Sequence, residues 1–428
     1  MPDGPLSDIR VLEFSLIVAM PFNGIVMSDF GADVIKVEPL TGDPYRNAGA
    51  VVPLEGKRFQ SLNRGKRSLA IDLANEEGRK LLYRILPDFD VVTMNYRPGV
   101  AGRLGIDYET LRAIHPPLVY GDLTGFGPRG PMAGAGATDL AATAYAGLVV
   151  GDNKMGPHGE PAGLTPAIAD YVTGLAIGMG VVSALRHRDR TGEGQLVEGS
   201  LLRSALAIQD VWVMRHPVTD VTMRDPMIED IREMRERGAP YSEQLARRQE
   251  FRDSGAGPPR LYYRSYVALD GAIVLGCLTK ATRDGARRVL GMEHDRSDDP
   301  DFDARDAASR EETARWVSEV EARVRDESVA TWLERFRDAG VPCGPVQFPE
   351  ELADDPQVEA MALIADLNHE ITGPQRVVGP IVDMSETPTR AQIAAPPLGW
   401  HTTEILEQSG LTPEEIGAYR AAGVIGGE

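Results

Sequence analysis

One carboxylate stands at the head of a long uncharged stretch. In Pro166-Ala167-Ile168-Ala169-Asp170-Tyr171-Val172-Thr173-Gly174 the acid is Asp170, and no charged residue follows until Arg186. The run from Tyr171 to His187 reads as a helix, apolar and studded with small residues at Gly174, Ala176, Gly178, Gly180 and Ala184. Each glycine weakens a helix by roughly 1 kcal/mol relative to Ala, so this density points to close packing or to access by a ligand. Asp170 falls at or near the N-cap, where its oxygens can accept orphan backbone N–H groups and the helix dipole favours the ionised form. An ionised, partly desolvated aspartate is a nucleophile toward an activated carbonyl. By residue preference it is also a plain helix cap.

Other residues with chemical potential are sparser. The net charge of −19 argues against general nucleic-acid binding, which needs a basic surface to displace counterions. Against that acidic background Arg64, Lys66, Arg67, Arg97 and Arg103 form a local basic cluster that could meet phosphates, although such residues are more often solvated surface. His115, His158, His187, His216, His294, His369 and His401 are scattered without metal-ligand spacing, so no metal site is expected. Cys277 and Cys343 lie far apart in the chain, which suggests a reducing compartment without disulfides or zinc. No targeting signal and no apolar run long enough for a bilayer are read here, so the expected location is cytoplasmic and the protein is not expected to bind a membrane.

The elements that must position Asp170 form an open α/β pattern. Ile9–Phe14 reads as a strand, Pro21–Phe30 as a helix and Val34–Val37 as a second strand, a βαβ unit with a parallel crossover. Strands are expected at Ser68–Asp72, Val91–Met94 and Leu118–Leu123, with a helix at Glu76–Ile85 between the first two. No GxGxxG marks the first turn, so dinucleotide binding in the Rossmann manner is not expected. Asp270-Gly271 signals a hairpin between strands. The expected division is a large Rossmann-like domain at 1–205, a linker at 206–225, a smaller α+β domain at 226–345 and a return to the large domain at 346–428.

Several ordered motifs join these features. They are Val11-Leu12-Glu13-Phe14, Gly31-Ala32-Asp33-Val34-Ile35-Lys36-Val37-Glu38-Pro39, Leu62-Asn63-Arg64-Gly65-Lys66-Arg67-Ser68, Asn95-Tyr96-Arg97-Pro98-Gly99, Thr124-Gly125-Phe126-Gly127, the block from Asp170 to Val197, Gly340-Val341-Pro342-Cys343-Gly344-Pro345 and Ala395-Pro396-Pro397-Leu398-Gly399. In this order they resemble the class III CoA-transferases (CaiB/BaiF type), a family that includes formyl-CoA transferase, carnitine CoA-transferase and α-methylacyl-CoA racemase.

The resemblance implies an interlocked homodimer that uses coenzyme A or an acyl-CoA as substrate, holds no permanently bound cofactor, and moves CoA to a carboxylic acid. Asp170 would be the catalytic carboxylate, passing through an aspartyl anhydride and an aspartyl-CoA thioester. It further implies CoA contacts at Val18, Ala19, Leu62, Asn63, Arg64, Gly65, Asn95, Tyr96, Arg97 and Arg103. Met20 stands where the family usually has glycine before the proline, and Ser254–Pro259 lacks the glycine run of formyl-CoA transferase's lid. In Gly136-Ala137-Thr138-Asp139, Thr138 occupies the position of the racemases' histidine and cannot act as a proton base near neutral pH. Racemase chemistry is therefore the lesser alternative, beside a non-catalytic CoA-binding dimer. Asp139 either supports the site by hydrogen bonding or caps a helix starting near Leu140. Arg46, or Tyr262 with Arg264, is expected to meet the second carboxylate if the acceptor is a diacid.

Overall fold

The computed structural model describes residues 4–151, 154–157, 159–255, 260–304 and 306–427. They form two compact units, one from residues 4–213 with 353–427 and one from 214–352. The second unit is wider than the expected 226–345, and the expected linker at 206–225 is divided. Helix Asp210–Val213 ends the first unit. Asp220 of the second unit is bonded locally to the His216 N–H and to Arg215.

In the first unit, β1 (Arg10–Phe14), β2 (Asp33–Glu38), β3 (Lys66–Ala70), β4 (Val91–Met94), β5 (Val119–Thr124) and β6 (Leu196–Ser200) form a parallel sheet in the order β3-β2-β1-β4-β5-β6. This is the doubly wound order that reverses at β1/β4. Both faces of the sheet are covered, so the strands of its centre are buried, and the charged residues within them, Glu13, Lys36, Glu38 and Lys66, are paired. On one face Leu12, Ile35, Leu69 and Val92 pack with Leu81 and Leu82 of α2 (Glu76–Ile85) and with Ile405, Leu406 and Ile416 of the C-terminal segment. On the other face Val11, Val34, Val91 and Val119 meet α1 (Ala19–Asp29) and the long helix α4 (Ile168–Thr191), which follows α3 (Asp139–Tyr145).

The C-terminal return also protects the sheet edge. Along β3, Gly399 N–H donates to Ser68 Oγ, Ser68 N–H donates to His401 Nδ1, and Ala70 N–H donates to Thr402 Oγ1. An exposed edge strand invites pairing with another chain, and this segment occupies it. A hairpin of β10 (Ile364–His369) and β11 (Gly373–Val378) belongs to the same unit. The second unit holds β7 (Tyr263–Val267), β8 (Ala272–Gly276) and β9 (Cys343–Pro345) as an antiparallel sheet, with the turn closed by Ala268 N–H donating to Gly271 O. Its core gathers Tyr266, Ile273, Trp316, Trp332 and Phe336.

α4 corrects one expectation from sequence. It is long and apolar enough, by length and composition, to cross a membrane. Here Ala169, Ile177, Val181 and Leu185 are buried in the core against the sheet. Its glycines serve close packing. A Cβ at Gly174 would lie 2.5 Å from the Ala19 carbonyl oxygen, and one at Gly178 would lie 2.6 Å from Asn23 Nδ2. Asn23 Nδ2 donates to Gly174 O at 3.0 Å, tying α1 to α4 through that gap. Gly180 makes the same kind of room for Val197 of β6.

Replacing a helical glycine by alanine normally stabilises by up to about 1 kcal/mol. Gly174→Ala is expected to do the reverse, losing roughly 1–3 kcal/mol through overpacking against the Ala19 carbonyl. Urea denaturation of the variant checks the sign.

Candidate active site

Asp170 is the third residue of α4, one turn inside the helix, and not its cap. The N-cap position belongs to Ala167, whose side chain cannot accept a hydrogen bond. Asp139, the first residue of α3, supplies the missing acceptor. Its Oδ1 takes the Asp170 N–H at 3.0 Å, and its carboxylate also bonds the Ala169 N–H. α3 is in turn capped by Thr138, whose Oγ1 accepts the Ala141 N–H. Asp139 therefore supports the site by hydrogen bonding, as one sequence alternative had it, and does so as the polar cap of a neighbouring helix and not of its own, which Thr138 caps.

This arrangement leaves the Asp170 carboxyl without a hydrogen bond from any described residue. Burial pushes it up to about 7, and the Asp139 carboxylate adds to that rise. Burial also raises Asp139, while the two backbone N–H groups pull the other way. The expectation of a fully ionised Asp170 is thus corrected: near neutrality it stands at the midpoint of its titration.

Asp170 and Asp139 face a cavity of about 630 Å³ in the first unit. The cavity runs along the carboxyl ends of five strands, where ligands of open α/β sheets bind. Leu16–Val18 follow β1, Val37–Pro39 end β2, Ile71–Ala74 follow β3, Asn95–Pro98 follow β4, and Leu123–Gly125 end β5. Gly136–Asp139 complete the wall beside Asp170. In that wall Ile17 has φ 72°, a left-handed conformation costing a β-branched residue on the order of 1–3 kcal/mol. No histidine lines the cavity among the described residues, and Thr138 uses its hydroxyl as a cap.

Below the floor lies a buried charge network. Lys66 Nζ donates to Glu13 Oε1 at 2.8 Å and Asn63 Oδ1 at 2.9 Å, and Lys36 Nζ reaches Ser15 O at 2.8 Å and Asp43 Oδ2 at 3.2 Å. Burial draws the Lys66 ammonium down to about 8, although Glu13 pulls it upward. Arg46 grips Glu38 with two bonds of 2.8 and 2.7 Å, and Ser68 Oγ donates to the same carboxylate. Burial opposes ionisation of Glu38, yet Arg46, Lys36 and Ser68 together hold it below the usual carboxylate range.

The sequence profile of CoA-transferase family III matches residues 6–402. The chain belongs to CoA-transferase family III. It is 30% identical to the succinyl-CoA:mesaconate CoA-transferase of Haloarcula hispanica, over 95% of this chain and 97% of that one. It is 31% identical to the succinate–glutarate CoA-transferase of Agrobacterium fabrum, over 94% and 95%. A solved CaiB/BaiF family protein from Brucella suis superposes with TM-score 0.74 at 27% identity, covering 95% of this chain and all of that one. Membership makes the chain a CoA-transferase, with CoA or an acyl-CoA as substrate.

Within this family fold the residues expected to contact CoA fall into two groups. Val18, Asn95, Tyr96 and Arg97 line the cavity with Asp170 and Asp139. Arg97 and Arg103 are exposed, with no ion-pair partner among the described residues. Ala19 is buried against Gly174. Leu62, Asn63, Arg64 and Gly65 do not line the cavity. Leu62 and Asn63 are buried, Asn63 also donates to Phe59 O, Arg64 forms a bidentate pair with Asp29, and Gly65 N–H donates to Ile393 O. Lys66 is consumed in the floor, and Arg67 pairs with Asp33 and Glu404. Most of the basic cluster is therefore internal structure.

The diacid contacts are corrected in the same way. Arg46 is fully buried on Glu38, the Tyr262 hydroxyl donates to Asp295 Oδ2 at 2.9 Å, and Arg264 pairs with Glu321. Of the segment read as a possible lid, Gly255 ends a helix, and 256–259 lie outside the described residues, as does His158. The residues that sequence reasoning missed are Leu16, Ile17, Ile71–Ala74 and Leu201. All but Leu201 sit at or just beyond the carboxyl ends of expected strands, a position that the topology alone could have flagged.

The two groups of arginines should behave oppositely. Arg64→Met is expected to lower stability by about 3–5 kcal/mol, since it leaves Asp29 buried and unpaired. Arg97→Met is expected to change it by less than about 0.5 kcal/mol while weakening CoA binding. Denaturation and calorimetric titration with CoA check both.

Proposed function

We propose that the protein transfers CoA from an acyl-CoA thioester to a carboxylic acid, with Asp170 as the covalent nucleophile. The observation that carries this reading is a half-buried carboxyl with no hydrogen bond from any described residue, set at the strand ends of a cavity large enough for an extended ligand. An Asp170 oxygen attacks the thioester carbonyl, and collapse of the tetrahedral adduct expels CoA thiolate and leaves an acyl-aspartyl anhydride. The thiolate then attacks the aspartyl carbonyl, releasing the donor acid and forming an aspartyl-CoA thioester. The acceptor carboxylate repeats the sequence in reverse, through a second anhydride, to leave as its CoA thioester with Asp170 restored. Thioester energy is kept because no step passes through water. Asp139 assists by fixing the Ala169 and Asp170 amides, so the helix head does not turn inward on the nucleophile.

For the acids we infer short dicarboxylates. The support is the succinyl, mesaconate and glutarate specificity in the names of the relatives and the unpaired Arg97 on the cavity wall. Val18, Asn95, Tyr96, Arg97 and Arg103 mark the side from which CoA would enter. We further infer an interlocked homodimer in the reducing cytoplasm. Exposed Leu175, Met179 and Val182 on α4 offer apolar surface for a second copy, and Cys277 and Cys343 are free thiols. A solution mass near the 46.4 kDa of one chain would sink the dimer.

The covalent step is tested by incubating the enzyme with succinyl-CoA, glutaryl-CoA and aromatic acyl-CoAs, then with hydroxylamine, and mapping the peptides. A hydroxamate on Asp170 is expected with the diacid thioesters. Its yield should rise with pH around 7, because only the ionised carboxylate attacks and burial has raised its titration to that value. Asp139→Asn should move the rise to lower pH by removing the neighbouring charge. A hydroxamate on another residue would refute the assignment.

A further inference from the structure

Of the non-glycine residues with positive φ among those described, Ile17, Leu54 and Ala362, only Ile17 lines the cavity. Its side chain is 41% exposed, so burial of Ile17 does not offset the conformation. Polar contacts hold it instead. Leu16 N–H donates to Asn95 Oδ1 at 2.8 Å, and Asn95 Nδ2 donates back to Leu16 O at 2.8 Å. One side-chain amide thus satisfies both backbone groups of the residue before Ile17, as a neighbouring strand would. The Asn95 N–H donates to Phe14 O, so the clamp extends the β1/β4 ladder beyond its regular end. Ile17 N–H donates to Asp43 Oδ2 at 3.3 Å, and Asp43 is itself anchored by Lys36 and by the Tyr45 N–H.

This bend determines where the chain goes next. Val18 enters the cavity wall, and the Ala19 carbonyl lands on Gly174, one turn beyond Asp170 on α4. A relaxed Ile17 would change the direction in which β1 delivers α1, and so the wall of the cavity that Asp170 also lines.

We propose that Asn95, supported by Asp43, is a positioning residue of the transfer reaction: its amide locks Leu16–Ile17–Val18 in the strained bend that forms the acyl wall beside Asp170. Its carboxamide is committed to Leu16 and is not a direct ligand of CoA. The proposal rests on Asp170 being the nucleophile, but its test separates the two ideas.

Asn95→Ala is expected to lower kcat by about 10–100-fold, the scale of a small misplacement at the reacting centre, while the Kd of free CoA by calorimetry moves less than about 3-fold. Glycine adopts positive φ without steric cost. Adding Ile17→Gly to Asn95→Ala should therefore recover a substantial part of kcat. Ile17→Gly alone should raise the denaturation midpoint, which remains measurable even if Asn95→Ala does not fold. A tenfold or greater loss of CoA affinity in Asn95→Ala with kcat retained would make Asn95 a direct ligand and overturn the proposal. Strictly additive effects at positions 17 and 95, or a lowered midpoint in Ile17→Gly, would overturn it as well. If no adduct forms on Asp170 in the unaltered enzyme, the nucleophile reading fails, while the coupling of the two positions in the denaturation midpoint still decides the clamp.

Discussion

The contact between α1 and α4 sets the depth at which Asp170 sits. With glycines at 174 and 178, the two helices approach until backbone meets backbone, and Asn23 bridges the remaining gap. Any larger side chain would lift α4 off the sheet, and Asp170, four residues before Gly174, would rise with it. The apolar face of α4, with Ile177 and Val181 against Gly121 of β5 and Ile177 against Gly199 of β6, then pins the helix. Helix propensity is surrendered at these glycines in exchange for a fixed separation, a trade that makes sense only where position matters more than local stability.

The same site needs charge below and an uncompensated carboxyl above. Beneath the cavity, Glu13, Lys36, Lys66 and Asp43 form one buried network, and Glu38 with Arg46 another. Desolvating so many charges is costly, and apolar residues of similar volume would often be at least as stable. What the ionic floor supplies is direction. Asp43 orients the bend at Ile17 while Lys36 holds Asp43, so the cavity wall is fixed by groups that have one good arrangement. Orphan acceptors at Glu13 Oε2 and Thr93 Oγ1 show that even this network is not fully satisfied.

The sheet was legible in the sequence because short apolar runs such as Val34-Ile35 and Val91–Met94 recur at the spacing of a βαβ pattern. Val91–Met94 and Glu76–Ile85 fall where the pattern put them, and the ends of the other elements shift by up to four residues. Asp170 stood out because nothing charged surrounds it in the chain. Its partner role was illegible, since Asp139 caps a helix whose head lies 31 residues away. The basic cluster was misread for the same reason. Arg64 and Lys66 find Asp29 and Glu13 at separations of 35 and 53 residues, so an arginine that looks free for phosphate is committed to the core. Only Arg97 and Arg103, on the loop and short helix after β4, escape such partners among the described residues. Local pattern finds elements, but which charges remain free is decided by the fold.

A half-buried acid without a protein donor among the described residues is what the proposed reaction needs at Asp170. A hydroxyl donating to Asp170 would lower the titration of the carboxyl. Under the proposed covalent mechanism it would also blunt the attack, because a hydrogen bond to the carboxylate must be broken or weakened as the bond forms. The structure divides the two tasks between two aspartates. Asp139 accepts the amides and carries the structural duty of a cap, and its charge then helps to raise the neighbour it leaves bare. Local rules are broken at Leu54 and Ala362 as well, away from the cavity, but at Ile17 and Asp170 two breaks line one cavity at the strand ends, which is where a site, and not a defect in packing, would place them.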